Sequence, residues 1–219
     1  MDDAKSLLQK RKGLFFVLEG TDGAGTTTQC HLLCDALTDR GHQVICTREP
    51  GGTPIGERIR GLVLDNRYKE MSHSTELLLY SAARAQHVKQ KIIPALETGN
   101  IVICDRFTAS SIAYQSHGRG IDLEIVEGAN RISAGECRPD HTIYLNVSLE
   151  ESLRRRVERR ESIDRIESEG SDFQNRVING FNQISLRDSG QKSIIDASQN
   201  KVAVAKCIID DVLKCWPDL

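Results

Sequence analysis

The sequence predicts an α/β domain in which a parallel sheet of five strands carries helices on both faces. Three observations lead there. Apolar runs of strand length alternate with stretches of helical periodicity along the 219 residues. Runs such as Leu14–Leu18 and Ile101–Cys104 are continuously apolar, the pattern of strands buried on both faces. No repeat, low-complexity tract or Pro/Ser-rich linker divides the chain, so residues 1–219 are expected to form a single domain.

Local signals define each element in turn. Leu14–Glu19 reads as the first strand and stops at Gly20. Thr27–Arg40 reads as a helix with Leu32, Leu33, Ala36 and Leu37 turned inward, closed by Gly41. Gln43–Thr47 is the second strand and Ile55–Leu64 a short helix. Thr75–Leu96 is a longer helical stretch that Pro94 is expected to kink or restart, and Gly99 ends it. Ile101–Asp105 is the third strand, and helical segments follow to Ala134. His141–Asn146 is the fourth strand; Ser148 and Glu151 then predict a capping box for a helix running towards Arg160. A charged piece, 159–171, interrupts the pattern. Phe173–Ser189 resumes as helix, Ser193–Asp196 is the fifth strand and Val202–Cys215 the last helix.

Composition excludes several functional classes. Lys and Arg number 29 against 31 Asp and Glu, a net charge of −2, which argues against a polybasic nucleic-acid binder. The apolar runs are too short to span a bilayer. The opening residues, MDDAKSLLQKRKG, lack the apolar centre of a signal peptide and are not the acid-poor, Arg-rich type of a transit peptide. A cytoplasmic protein with neither membrane nor nucleic acid as partner is expected. The seven cysteines are odd in number, irregular in spacing and form no CxxC pair, so reduced packing thiols are expected. The six histidines show no zinc-site spacing and read as core or surface residues.

In parallel sheets of this type the ligand lies beyond the carboxyl ends of the strands. Four short segments qualify: Gly20 onward, Thr47-Arg48, Asp105-Arg106 and Asp196. The first, Gly20-Thr21-Asp22-Gly23-Ala24-Gly25-Thr26-Thr27, has the spacing of a P-loop, G-x-x-x-x-G-K-[ST]. Its glycines let successive N–H groups curl around an anion, and the helix that follows adds its partial positive charge. Thr27 stands where a hydroxyl would meet Mg²⁺. Thr26 stands where the lysine would be, and a threonine supplies no cation. Read alone, the loop is either a phosphate cradle or a Gly-rich turn without a ligand; the preceding strand and following helix supply the context of the cradle.

The second strand ends in Thr47-Arg48-Glu49-Pro50-Gly51-Gly52-Thr53, a rigid turn that would hold Arg48 at the sheet edge facing the P-loop. Asp105 is placed like an acid beside Mg²⁺ or its waters, and Arg106 like a cation for a second phosphate. Tyr80 and Arg84 lie at i, i+4 on one helix face. An aromatic for a base and a cation for a phosphate or base edge are what a nucleoside monophosphate needs. Singly, Arg84 could be a salt-bridge partner and Tyr80 a core ring; their joint placement at one sheet edge points to a site.

The segments LEGTDGAGTTTQ, REPGGTPIGE, LLLYSAARAQ, CDRFTASSIAYQ, GRGID, RPDHTIYLNV and DRIESEGSDFQNRV resemble the thymidylate kinases, P-loop enzymes that phosphorylate dTMP; the resemblance runs from about Phe15 to Gln199. The resemblance implies a sheet order of 2-3-1-4-5, a homodimer, ATP with Mg²⁺ as donor and dTDP as product. It implies that Gly20 to Thr27 hold the ATP phosphates and that Thr27 and Asp105 serve the metal. Asp22 would contact the acceptor sugar's 3′-hydroxyl, and Arg48 and Arg106 the acceptor phosphate. Tyr80 would stack on thymine, Arg84 would bond its edge, Ser110 and Ser111 would lie near the base and Tyr114 near the sugar. The family carries an arginine either in the P-loop or in a mobile lid. Gly23 occupies the P-loop position here, so the chain resembles the lid-arginine type. Its lid region holds Arg156, Arg159, Arg160 and Arg165, of which Arg160 and Arg165 match the family's lid positions best and are expected to be catalytic. Two other readings stay open at this level: a kinase of another nucleoside or monophosphate, and a nucleotide-binding protein impaired in catalysis by Thr26.

Overall fold

The computed structural model describes residues 12–158 and 163–219. Strands β1 (Phe15–Gly20), β2 (Val44–Arg48), β3 (Ile101–Asp105), β4 (His141–Asn146) and β5 (Lys192–Asp196) form one sheet in the order β2-β3-β1-β4-β5. All four pairings are parallel, as the alternating pattern requires. The register sets Asp105 beside both Leu18 and Arg48, so β1, β2 and β3 finish together at one sheet edge.

Both faces of β1 are covered, which is why its sequence does not alternate. Phe16 and Leu18 pack with Leu33, Leu37, Ile103, Ile143, Ile208 and Val212 on one side. Phe15 and Val17 pack with Val88, Ile92, Val102, Cys104 and Phe107 on the other. A third apolar cluster, with Tyr114, Tyr144, Phe173, Val177 and Phe181, lies under the segment after β3. All seven cysteines are free thiols.

The helices are α1 (Thr26–Asp39), α2 (Pro54–Val63), α3 (His73–His87), α4 (Ile93–Glu97), α5 (Thr108–Ser111), α6 (Leu123–Ala134), α7 (Leu149–Glu158), α8 (Ser171–Arg187) and α9 (Lys201–Cys215). Most ends differ from the sequence reading by one or two residues, and caps explain several of the shifts. Helix α3 starts before Thr75 because Ser72 Oγ accepts the Thr75 N–H at 3.2 Å. Helix α2 starts at Pro54, behind a Thr53 hydroxyl that accepts from Gly56 N at 3.1 Å. Pro94 restarts the long helix, standing in the first turn of a separate segment, α4. The helix loosens into a π-helical turn, Val88–Ile92, and resumes as α4. The capping box is half formed. Ser148 Oγ accepts from Glu151 N at 3.2 Å, but the Glu151 carboxylate is taken by Arg154 and Arg155, each at 2.6 Å. Among the described residues no helix is long and apolar enough to cross a membrane.

Candidate active site

The loop from Thr21 to Gly25 joins β1 to α1 at the shared sheet edge. Gly23 and Gly25 adopt φ of 82° and 91°, a region that L side chains rarely enter. Gly23 is also hemmed in: a Cβ there would lie 2.6 Å from the Ser152 carbonyl oxygen of α7. Ser152 Oγ donates to the Asp22 carbonyl at 2.7 Å and fastens α7 to the loop. An arginine therefore has no room at position 23. Thr26 is buried at the first position of α1 and brings no charge.

Thr27 Oγ1 donates to the Asp105 carboxylate. The other carboxylate oxygen, Asp105 Oδ1, is buried without a hydrogen-bond partner. A buried carboxylate oxygen left open beside a P-loop hydroxyl is what a Mg²⁺ ion needs when it arrives with nucleotide phosphates and keeps most of its waters. No group of three or more His, Cys, Asp or Glu among the described residues forms a self-sufficient metal cage. The residues thus fit a metal carried by its nucleotide.

Across the edge from the loop, Arg106 follows β3 with φ of 71°, the one non-glycine positive φ among the described residues. Its Nη1 donates to the Gly20 carbonyl at 2.5 Å and its Nη2 to Asp22 Oδ1 at 2.8 Å. Tyr114 Oη donates to the second Asp22 oxygen at 2.8 Å, and the guanidinium lies 5.2 Å from the Tyr114 ring centroid. Burial works against the Arg106 charge, but Tyr114, Asp22, Asp105 and Glu19 around it drive its pKa upward, so it stays a cation. Glu19, wholly buried on β1, accepts from Phe107 N at 2.8 Å and Ser110 Oγ at 2.5 Å. It ties down the turn that aims Arg106, and desolvation raises its pKa.

One cavity is lined by Asp22, Arg106, Ser110, Ser111 and Tyr114 together with Tyr80, Arg84 and Gln115. Arg84 is buried. Its Nε donates to Glu49 Oε2 at 2.7 Å, Nη1 to Asn130 Oδ1 at 2.7 Å and Nη2 to the Phe107 carbonyl at 2.9 Å. Three of its five N–H groups are spent on holding it still, and two remain. His87, in the core as the sequence reading allowed, braces the same Glu49 from Nδ1 at 3.0 Å. Gln115 Nε2 donates to the buried Glu76 Oε1 at 3.0 Å.

A second, larger cleft runs along the P-loop and is lined by Gly23 to Thr28, Asp105, Arg154, Arg155, Arg156 and the 197–201 turn. Asp22, Glu49, Arg60, Arg106 and Asp164 line both cavities, so the two meet there. Arg48 lines the second cleft, half exposed, and is paired with Glu57 Oε2 at 2.8 Å. The structure therefore brings Asp22, Arg48, Tyr80, Arg84, Asp105, Arg106, Ser110, Ser111 and Tyr114 together at one edge. Ser110 is occupied in bracing Glu19.

The lid arginines divide differently from expectation. Arg160 lies outside the described residues. Arg165 does not line either cavity: it is buried, with Nε on the Val63 carbonyl at 2.9 Å and Nη2 on Glu76 Oε2 at 2.6 Å. Arg156 lines the cleft, donates from Nη2 to the Glu167 carbonyl, and keeps Nε and Nη1 buried without a partner. The sequence reading passed over Glu19, Glu49, Arg60, Glu76, Gln115 and Asp164. Glu19, Glu49, Gln115 and Asp164 stand inside the family-like segments and Arg60 follows the rigid turn, whereas Glu76 lies just outside any such segment.

A P-loop cleft opening onto a base-sized pocket across one parallel-sheet edge defines a kinase of nucleoside monophosphates. The sequence model of the family described as Thymidylate kinase matches residues 18–208. The chain is 46% identical over 203 residues to a thymidylate kinase of Pelotomaculum thermopropionicum, covering 93% of this chain and 92% of that one. It is 43% identical over 201 residues to a thymidylate kinase of Exiguobacterium sibiricum, covering 92% and 94%. The crystal structure of thymidylate kinase from Ehrlichia chaffeensis superposes with a TM-score of 0.74 at 31% identity, covering 91% of this chain and 98% of that one. The chain belongs to the thymidylate kinase family, ATP-dependent phosphotransferases that phosphorylate dTMP.

Proposed function

We propose that dTMP occupies the cavity between Asp22 and Gln115, that ATP lies along the P-loop cleft, and that dTDP is the product. The observation carrying this reading is the shared wall of Asp22, Arg60 and Arg106, where the two cavities meet. Phosphoryl transfer needs two phosphates in line and their charge neutralised, with little covalent work for side chains. Asp22, fixed by Arg106 and Tyr114, is set to take the sugar hydroxyl. Arg106, with Arg48 and Arg60, is set to hold the acceptor phosphate. Tyr80 offers its face to the base. Arg84 has donors left for a carbonyl oxygen on the base edge. Gln115, with its amide nitrogen engaged, has its oxygen left for a ring N–H.

The donor side follows the lid-arginine pattern. Thr27 and Asp105 would hold Mg²⁺, which when bound neutralises the donor phosphates. Thr26 leaves the P-loop without its cation, and Arg156, which lines the cleft and keeps two buried nitrogens without a partner, is the described residue best placed to replace it. Arg160 remains a further candidate for the same task, whereas Arg165 serves to brace the pocket wall. A homodimer and a cytoplasmic setting complete the proposal. Apolar side chains exposed on α2, α3 and α6 support the dimer, and the free cysteines support the setting.

The test is conversion of dTMP to dTDP with ATP, with and without Mg²⁺, alongside calorimetric titration of each nucleotide. Metal-dependent turnover is expected. Binding of both nucleotides without turnover would overturn the catalytic assignment, and phosphorylation of another monophosphate in preference to dTMP would overturn the base assignment.

A further inference from the structure

We propose that Glu76 is a positioning residue that sets the base selectivity of the acceptor pocket, because it fixes which end of the Gln115 amide is left for the base. The inference rests on the reading of that pocket given above and deepens it.

Glu76 sits on α3, one turn before Tyr80, and is wholly buried. Its Oε1 accepts from Gln115 Nε2 at 3.0 Å and Arg119 Nε at 3.1 Å; its Oε2 accepts from Arg119 Nη2 at 3.0 Å and Arg165 Nη2 at 2.6 Å. Burial alone would raise its pKa, but the hydrogen bonds and charge of Arg119, with those of Gln115 and Arg165, outweigh it and hold the group ionised. An ionised carboxylate only accepts hydrogen bonds. An amide oxygen turned towards it would set two acceptors against each other in a buried place. Gln115 therefore presents its NH₂ to Glu76, a conclusion that follows from charge and burial whichever way the two amide atoms were first assigned.

What remains of the amide is the oxygen, an acceptor, on a residue that lines the pocket. Arg84 lines the same pocket and has two N–H donors left. The pair asks the base for one ring N–H and one carbonyl oxygen. A 4-oxo pyrimidine with a protonated N3 offers both. A 4-amino pyrimidine offers a bare N3 and an amino group, opposite at both points. Without Glu76 the amide could turn over and present NH₂ to a bare N3, and half of the discrimination would go. Nothing in this role requires Glu76 to touch the substrate.

The experiment compares kcat/KM for dTMP and for 5-methyl-dCMP, which keeps the methyl group and sugar and changes only the base edge. Wild type, Glu76→Gln and Gln115→Met are measured side by side. In Glu76→Gln the preference for dTMP over 5-methyl-dCMP should fall on the order of 10- to 100-fold, the worth of one buried hydrogen-bond mismatch. Gln115→Met should lose a similar part of the preference and raise the KM for dTMP. A Glu76→Gln enzyme that keeps the wild-type preference while Gln115→Met loses it would overturn the positioning role alone. A Gln115→Met enzyme with unchanged KM and preference would show that Gln115 does not read the base, and both the role and that part of the pocket reading would fall. Because Glu76→Gln leaves two buried arginines short of one negative charge, Glu76→Gln/Arg165→Met is made with Arg165→Met as its control. It restores the charge balance of the cluster and must show the same fall in preference if the role is real.

Discussion

Arg106 is constrained in backbone and side chain together. Its backbone lies at φ of 71°, a region that costs a non-glycine residue on the order of 1–3 kcal/mol. The strain persists because the guanidinium is held at both terminal nitrogens, by the Gly20 carbonyl and by Asp22. Lysine would keep the charge and lose the planar fork. Arg106→Lys should therefore lower kcat/KM for dTMP on the order of 100-fold, the worth of one aligned transition-state donor, while thermal unfolding changes little. Near-normal turnover would remove Arg106 from the transfer path. Tyr80 makes a different claim. If its ring stacks on the base, Tyr80→Ala weakens dTMP binding by roughly 1–3 kcal/mol and leaves ATP binding unchanged in calorimetric titration. An equal loss for both nucleotides would make Tyr80 a core ring. These residues were legible because each stands in a motif or at helical spacing from a partner. The roles of Glu19, Glu76 and Gln115 were not, although Glu19 and Gln115 stand inside motifs. A buried carboxylate looks ordinary in sequence when the backbone amide it anchors, as Phe107 N is to Glu19, lies 88 residues away.

The P-loop and α7 act as one piece. Ser152 donates to the Asp22 carbonyl, and its own carbonyl closes the space in which a side chain at position 23 would stand. The same helix brings Arg156 to the donor cleft five residues after a glutamate that binds Arg154 and Arg155. The charge missing at Thr26 and the charge offered by α7 are thus linked in space. Arg156→Ala should cut kcat by roughly 10³-fold or more, in the range of an arginine finger, while dTMP binding persists. Thr26→Lys should fold normally and raise kcat little. If Thr26→Lys raised turnover by orders of magnitude and Arg156→Ala left it unchanged, the cation would have to come from elsewhere. The elements themselves were legible where physics is local. Ile101–Asp105 and His141–Asn146 appear with the bounds that their apolar runs give. Helix ends shifted because a cap depends on which side chain wins a contested partner, and at Glu151 two arginines outcompeted the backbone. Arg165 was misplaced for a related reason. Its motif reads as lid, but a buried carboxylate on α3 claims it.

Helix α3 packs against α2 on one side and α6 on the other. Their outer surfaces still show large apolar side chains: Leu62, Leu78 at 65% exposure, Ile125 at 61% and Ile132 at 87%. Ile125 and Ile132 are seven residues apart, two turns along α6, and so share a face. Single exposed apolar residues mean little, but several on adjacent helices mark an interface. A second copy of the chain is the partner this surface is proposed to take. The consequence reaches the site, because α3 also carries Glu76, Tyr80 and Arg84 on its inner side. Removing the partner would expose one flank of the helix that positions the base pocket, while the P-loop, which contributes none of these exposed side chains, would keep its own packing. Sedimentation at micromolar concentration should therefore report a dimer for the wild type and a monomer for Ile132→Asp/Leu78→Asp. The monomer should retain ATP binding and show a raised KM for dTMP. A monomeric wild type would refute the interface. A monomeric variant with unchanged KM would separate it from the site, leaving α3 held in place by its own packing against α2 and α6.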